Sequence, residues 1–104
     1  MSEITNELVF KAQAGNEDAN RAIVEGLHRP VIATIFRFLG AKYRREVEDL
    51  AQEVFLKVLT RAHTREPGRS FLVWLLRVAR NEALDHLRRR GLHQRLVESV
   101  RSGV

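Results

Sequence analysis

The chain has no cysteine and few residues that interrupt helices: its 104 residues include two prolines, six glycines and one tryptophan. The absence of cysteine excludes disulfide bonds and thiolate metal sites. No apolar run approaches the roughly 20 residues that span a bilayer. The first residues also lack the basic and apolar segments of a secretory signal. We therefore expect a cytoplasmic protein.

The sequence also lacks the common catalytic motifs. It contains no glycine-rich phosphate loop, no His-Glu-x-x-His pair and no Gly-x-Ser-x-Gly motif. The histidines, which lie far apart or on different predicted faces, have poor spacing for a metal site. These absences lead us to expect no enzyme activity, no metal and no cofactor.

The hydrophobic pattern predicts an all-α fold, a compact bundle of about four main helices. Alternating apolar residues typical of strands are absent, and alanine, leucine, glutamate and arginine are common. We predict helices over residues 7–14, 17–39, 45–62 and 71–90. A chain of this length fits a single domain. We assign residues 1–91 to it and residues 92–104 to a short C-terminal helix or linker remnant.

Individual residues mark the predicted helix ends. Asn6, Asn16 and Ser70 are suited to cap helix N-termini. Gly15 is expected to end the first helix, and Gly91 the fourth. A proline within the second helix, Pro30, is expected to kink or restart it, because its ring removes a hydrogen-bond donor.

Charge is spread unevenly along the chain, although the net charge is only +5. Residues 1–60 carry eight basic and nine acidic side chains, a net of −1. Residues 61–95 carry nine arginines against three acidic residues, a net of +6. The asymmetry indicates a polyanion partner for the C-terminal half, although a solvated arginine-rich surface has the same composition. The planar guanidinium group suits phosphate and base contacts.

Two predicted helices carry a face that core packing does not explain. In the third helix an apolar stripe accounts for one side, while Asp49, Gln52, Glu53 and Leu56 lie opposite. An exposed leucine among acidic and amide groups resembles a docking surface, although single exposed leucines are common.

On the fourth helix, a broad apolar face that includes Leu72 is expected to be buried. One flank of that face carries Trp74, Arg77, Asn81 and Arg88. These residue types can stack on bases, pair with phosphates and read a base edge.

Two motifs, in this order along the chain, resemble region 2 of the sigma factors of bacterial transcription. The resemblance is especially to their small extracytoplasmic-function (ECF) class. The segment DLAQEVFLKV, residues 49–58, is similar to the helix by which sigma factors bind RNA polymerase. The segment SFLVWLLRVARN, residues 70–81, followed by ALDHLRRR, residues 83–90, resembles the promoter-recognition and melting helix. The stretch AQAGNE, residues 12–17, also resembles the opening of the ECF class.

The resemblance implies a role for each unexplained face. Asp49, Gln52, Glu53 and Leu56 would dock on the clamp helices of the largest subunit of core RNA polymerase. The loop that includes Arg65, Arg69 and Ser70 would help to form a pocket for a flipped base of the non-template strand. Arg77 and Asn81 would contact the minus-ten promoter element, with Arg80 and Arg88 nearby on the DNA. Trp74 would be the main aromatic candidate for melting. The resemblance also implies an anti-sigma factor as a further partner, and we expect a monomer with no membrane contact.

Two other functions fit parts of the pattern. An autonomous helical DNA-binding regulator explains the arginines, but it leaves the face from Asp49 to Leu56 without a role. A helical adaptor that binds only protein explains that face and not the arginines. Members of the ECF class carry a second helical domain that reads the minus-thirty-five element, and these 104 residues do not include one. We expect either one domain of a longer protein or a stand-alone or degenerate relative of the class.

Overall fold

The computed structural model of the chain describes residues 4–60 and 70–101, apart from the side chain of His93. In these residues the chain forms four α-helices and no strand, which confirms the predicted all-α bundle. The helices are α1 (Asn6–Gln13), α2 (Glu17–Leu39), α3 (Arg44–Thr60) and α4 (Phe71–Arg101). A 3₁₀ turn, Ala41–Tyr43, joins α2 to α3. None of the described helices is long and apolar enough to cross a lipid bilayer.

Side-chain caps fix the start of three helices. Asn16 Oδ1 accepts a hydrogen bond from the backbone N–H of Ala19 at 2.9 Å, and Ser70 Oγ accepts one from Val73 at 3.4 Å. Both predicted caps are confirmed. The predicted cap of α1 is wrong: Thr5, not Asn6, accepts the bond from the backbone N–H of Leu8. The helix begins one residue earlier than predicted, and threonine also caps well from an extended conformation.

Two glycines end helices in a conformation that other residues rarely adopt. Gly15, which follows α1, has a φ of 99°, and Gly40, which follows α2, has a φ of 74°. The absence of a Cβ atom makes these positive φ values accessible. Gly15 therefore ends the first helix as predicted.

Pro30 lies inside α2 and does not divide it, so the predicted restart at this residue is wrong. The ring costs the helix about 3 kcal/mol, because one backbone hydrogen bond to the preceding turn is lost. Ile23 lies before Pro30, Val31 and Ile35 lie after it, and all three are fully buried. Burial of each such side chain contributes about 1.5–3 kcal/mol. Packing on both sides therefore outweighs the local cost.

Among the described residues, the core lies between the helices, and its buried residues are apolar apart from one glutamate. Most of the predicted stripe of α3 is buried, which confirms its register. The predicted buried face of α4 is confirmed at Phe71, Leu75, Ala79 and Ala83. Leu76, Val78 and Leu87 are only partly buried, and Leu72 is 41% exposed. Leu72 lies about 100° around the helix from the buried Phe71, at the margin of that face. The buried α3 and α4 residues are Val47, Leu50, Ala51, Val54, Phe55, Val58, Phe71, Leu75, Ala79, Glu82 and Ala83.

Helix α4 does not end at Gly91 as predicted but continues to Arg101. Gly91 has no positive φ, and a glycine inside a helix costs only about 1 kcal/mol relative to alanine. The described side chains beyond it are exposed, including those of Leu92, Leu96 and Val100. The molecule measures 58 × 25 × 23 Å. The domain boundary after Gly91 stays a prediction, although the helix itself does not break there.

Candidate functional site

The outer face of α3 carries the four predicted protein-docking residues. Asp49, Gln52, Glu53 and Leu56 are all exposed, because they lie opposite the buried stripe at spacings of three and four residues. Leu56 is 66% exposed and stands among the polar side chains of this face. We call these four residues the α3 outer face. The predicted exposure of Leu56 is confirmed, and the binding partner of the α3 outer face stays a prediction.

A groove of about 640 Å³ runs beside the α3 outer face, between α3 and α2. Gln52 and Leu56 belong to both the outer face and the groove wall. The opposite wall comes from Asn20, Val24 and His28 of α2. Sequence reasoning missed this groove, because it depends on how two consecutive helices, α2 and α3, pack against each other, which no pattern within one helix encodes.

Polar contacts lie at both ends of the groove. Near the end of α1, Gln13 Nε2 donates a hydrogen bond to the carbonyl of Val58 at 3.3 Å. At the other end His28 Nε2 lies 3.5 Å from a carboxylate oxygen of Glu48. The Gln13 hydrogen bond joins α1 to α3, whereas the contact between His28 and Glu48 is open to solvent and contributes little to the packing of α2 on α3.

The predicted DNA-binding residues of α4 divide into exposed and half-buried side chains. Arg77, Arg80, Asn81 and Arg88 are exposed. Trp74 is half-buried, and its ring meets that of Phe71 edge-on at 5.9 Å between ring centroids. The tryptophan therefore has a packing role, whatever contact its remaining surface makes.

The other predicted DNA-binding residues lie at or before the start of α4. Ser70 is exposed, and its hydroxyl caps the helix. Arg65 and Arg69 lie outside the described residues, and so does most of the predicted base-binding loop. Their roles stay predictions.

The arginine run at 88–90 is not uniform. Arg90 forms an ion pair with Glu46 of α3, and its guanidinium carbon lies 5.9 Å from the ring centre of Tyr43. Arg88 lies 3.4 Å from Asp85, one turn earlier, in a pair open to solvent. Such exposed pairs are weak and are easily exchanged for a phosphate. Arg88 is therefore more available to an external anion than Arg90, although both belong to the same basic run.

Glu46 is the centre of a small cluster that sequence reasoning missed. A hydrogen bond from Arg90 lowers the pKa of Glu46 below its ordinary value, partial burial opposes this, and the nearby charges of Arg90 and His86 lower it further. His86 Nε2 lies 3.5 Å from the same carboxylate, and the His86 ring meets Tyr43 edge-on at 6.0 Å. The cluster joins the beginning of α3 to the later part of α4.

A second ion pair links the same two helices. Lys57 of α3 contacts the carboxylate of Glu82, which is only 8% exposed on the buried side of α4. Sequence reasoning counted Glu82 only among the charges. Its spacing of three and seven residues from the buried Ala79 and Leu75 was the signal that placed it on the inner face. Lys57 follows Leu56 directly, so this pair anchors α3 beside its outer face.

Comparison with known proteins gives one family for most of the chain. A family model described as Sigma-70 region 2 matches residues 23–93. The chain is 39% identical over 83 residues to "ECF RNA polymerase sigma factor BldN" of Streptomyces coelicolor, covering 79% of this chain and 31% of that protein. It is 28% identical over 90 residues to "ECF RNA polymerase sigma factor SigW" of Bacillus subtilis, covering 86% and 47% respectively.

A third relative extends the same pattern to another organism. "RNA polymerase sigma-H factor" of Pseudomonas aeruginosa is 32% identical over 89 residues, which cover 86% of this chain and 45% of that protein. The chain thus spans between about a third and a half of these relatives. No solved structure matches the chain significantly.

Proposed function

Because the chain belongs to the Sigma-70 region 2 family, with ECF sigma factors among its relatives, we propose that it is a transcription initiation module. It docks on core RNA polymerase, recognises the promoter minus-ten element and helps to melt it. The observation that carries the proposal is Leu56, a large apolar side chain that the fold leaves 66% exposed.

The docking step uses the α3 outer face. The leucine offers an apolar anchor, and Asp49, Gln52 and Glu53 surround it with hydrogen-bond acceptors and negative charge. Interfaces concentrate their binding energy in such anchors, with polar groups around them. The proposed partner is the clamp-helix pair of the largest polymerase subunit.

The DNA step uses the exposed side of α4. Arg77, Arg80 and Arg88 contact phosphates, while Asn81 offers both a donor and an acceptor to a base edge. Trp74, Ser70, Arg65 and Arg69 complete the proposed surface near the start of the helix. Extrusion of a base costs a few kcal/mol, and capture of the unstacked base offsets that cost. The strand captured is the non-template strand.

The docking step is tested by replacing the anchor. We expect Leu56→Arg to weaken binding to a polymerase clamp-helix fragment at least tenfold, as loss of an interface anchor does. Phe10→Arg is a matched control, because Phe10 is 64% exposed on α1 and lies outside the α3 outer face. Binding is measured by titration calorimetry, and circular dichroism checks that each variant is folded. Equal loss in both variants would contradict the assignment of the face.

The DNA step is tested with core polymerase present. Labelled single-stranded non-template DNA is compared with the same sequence as duplex, and Arg77→Ala and Asn81→Ala are compared with the wild-type chain. We expect preference for the single strand, and a loss of affinity in both variants. Duplex binding that does not need polymerase would favour an autonomous DNA-binding regulator. Nucleic-acid binding that is absent or insensitive to salt would favour an adaptor that binds only protein.

Four finer statements follow from this role. The module acts by binding and has no catalytic activity of its own. Its place of action is the cytoplasm, where bacterial transcription occurs. An anti-sigma factor is a further partner, which would compete for one of the two surfaces. The module is a monomer, because both surfaces already have partners; size-exclusion chromatography with light scattering measures this directly.

A further inference from the structure

The turn between α2 and α3 carries a basic patch that the overall charge of the N-terminal half conceals. Residues 26–45 contain five basic residues and no acidic residue, although residues 1–60 as a whole have a net charge of −1. Three of the five, Lys42, Arg44 and Arg45, lie in the 3₁₀ turn and at the start of α3. All three side chains are exposed. We call these three residues the turn patch.

Contacts within the fold do not explain the turn patch. Its three residues form no ion pair with a carboxylate of the described part of the chain. Lys42 lies 5.5 Å from the ring centre of its neighbour Tyr43. Arg44 and Arg45 occupy the first turn of α3, where the positive end of the helix dipole disfavours cations. Local stability therefore opposes this placement, whereas an external polyanion would favour it.

Tyr43 connects the turn patch to the arginine run of α4. The guanidinium carbon of Arg90 lies 5.9 Å from the centre of the Tyr43 ring, which also contacts Lys42. Arg88 and Arg89 are exposed within one helical turn of Arg90. The basic surface of α4 therefore continues onto the turn between α2 and α3.

The residue types of the turn patch suit a phosphate backbone. Lysine and arginine on an open surface pair with phosphates, whereas single-stranded DNA is held mainly by aromatic rings that stack on its bases. The one aromatic ring at the patch, that of Tyr43, is half-buried and already contacts two cations. Duplex DNA presents its phosphates on the outside at high charge density. The patch is therefore complementary to a duplex.

We propose that the turn patch binds the phosphate backbone of the duplex DNA that borders the melted minus-ten element. The inference rests on the proposed function and extends its DNA-binding surface from α4 to the turn between α2 and α3. Helix α4 holds the unpaired strand, and the turn patch holds the adjoining duplex through contacts that do not depend on sequence. Arg90 binds no phosphate, because its contacts with Glu46 and Tyr43 fix the turn against α4.

The proposal is tested with three DNA probes and one double variant. The first probe is the single-stranded non-template minus-ten segment of a promoter that a relative uses. The other two carry, on one side or the other, a duplex arm of about 15 base pairs, roughly 50 Å long. Lys42→Gln/Arg44→Gln removes two charges of the turn patch. Arg45 is kept, because it lies one turn before Asp49 on the same side of α3.

Lys11→Gln/Arg21→Gln is the matched control, because it removes the same charge from exposed side chains of α1 and the start of α2. Each full-length chain is titrated with each probe by fluorescence anisotropy, with core polymerase present and at several salt concentrations. We expect Lys42→Gln/Arg44→Gln to reduce the slope of log affinity against log salt by about two on one probe with an arm. Its slope on the single strand, and all slopes of the control, should be unchanged.

The outcomes separate this inference from the proposed function. If Lys42→Gln/Arg44→Gln has the wild-type slope on every probe, the turn patch does not bind DNA, and the proposed function stands. An equal reduction on all three probes also overturns the inference, because the patch then acts on the polymerase or on the single strand. A wild-type chain that does not bind the single strand in the presence of polymerase overturns the proposed function as well. Circular dichroism checks that both double variants are folded.

Discussion

At the scale of single residues, the buried carboxylate of Glu82 has Lys57 as its ion-pair partner among the described residues. Lys57 supplies the opposite charge from α3, and its own side chain is 42% exposed. Removal of the lysine leaves a charge that the core cannot solvate, whereas removal of both groups leaves an apolar contact. The pair therefore serves to hold α3 in register with α4.

We expect Lys57→Met to lower the free energy of unfolding by about 1–3 kcal/mol, since a buried acceptor loses its partner. The double variant Lys57→Met/Glu82→Leu should recover most of that loss, because the uncompensated charge is gone. Urea denaturation followed by circular dichroism measures both. Additive losses in the double variant would show that the two side chains do not depend on each other.

The Glu46 cluster makes stability depend on pH in a definite direction. The pKa of Glu46 is lower in the folded chain than its ordinary value, mainly through the hydrogen bond from Arg90. The folded chain therefore binds a proton at Glu46 less readily than the unfolded chain. This contribution to stability is complete above the ordinary glutamate pKa of 4.5, and it is lost as the pH falls through the folded value.

We therefore expect the urea midpoint of the wild-type chain to fall on acidification below about pH 4.5 by more than that of Arg90→Ala. In that variant the main cause of the lowered pKa is gone, so less stability remains to be lost. Midpoints at pH 7, 4.5 and 3 test the difference. The same acid dependence in both chains would mean that Arg90 does not set the protonation of Glu46.

The sequence predicts the exposure of a residue well where the periodicity of one helix determines it. It predicts contacts poorly where two helices pack together. The exposure of Leu56 followed from the periodicity of α3 alone, and the structure confirms it. The contact between Glu46 and Arg90 joins residues 44 positions apart. No local pattern in the chain encodes such a pairing, because it depends on how α3 packs against α4.

At the scale of elements, the two helix breaks that were predicted wrongly both lie at residues that disfavour a helix locally. Pro30 and Gly91 each weaken a helix, and both lie inside one. At Pro30 the buried neighbours contribute more than the ring costs. Beyond Gly91 little of the helix is packed, so its continuation depends on intrinsic helix propensity. The two positions therefore differ in what keeps the helix intact.

We expect Gly91→Ala to strengthen the end of α4 without affecting the bundle. A Cβ atom at this position meets no other atom within 4 Å, and alanine favours the helix by about 1 kcal/mol. Amide hydrogen exchange in residues 92–101 should slow about fivefold. Exchange in α3 serves as the internal control and should not change. Unchanged exchange beyond residue 91 would indicate that the glycine does not limit this segment.

At the scale of the whole molecule, the two proposed surfaces lie on neighbouring helices of one bundle. The α3 outer face carries carboxylates, whereas the exposed side of α4 carries arginines, so the uneven charge seen in the sequence lies in part on these two helices. Two ion pairs, Lys57 with Glu82 and Arg90 with Glu46, fix α3 against α4. Docking of α3 on a large partner would therefore also orient α4 toward DNA. The sequence indicated both surfaces, but the connection between them appears only in the packed bundle.

This division of roles predicts that the arginines of one run differ in their effect on DNA binding. Arg88 is exposed and only weakly paired with Asp85, so we expect Arg88→Ala to reduce the slope of log affinity against log salt by about one. Arg90 is bound to Glu46, so Arg90→Ala should leave the slope unchanged and lower the urea midpoint. Fluorescence anisotropy with non-template DNA and core polymerase, at several salt concentrations, measures the slopes. If Arg90→Ala reduces the slope as much as Arg88→Ala, its pairing with Glu46 does not withhold it from DNA. The run would then act as one undivided basic patch, and the separation between anchoring and DNA-binding arginines would be lost.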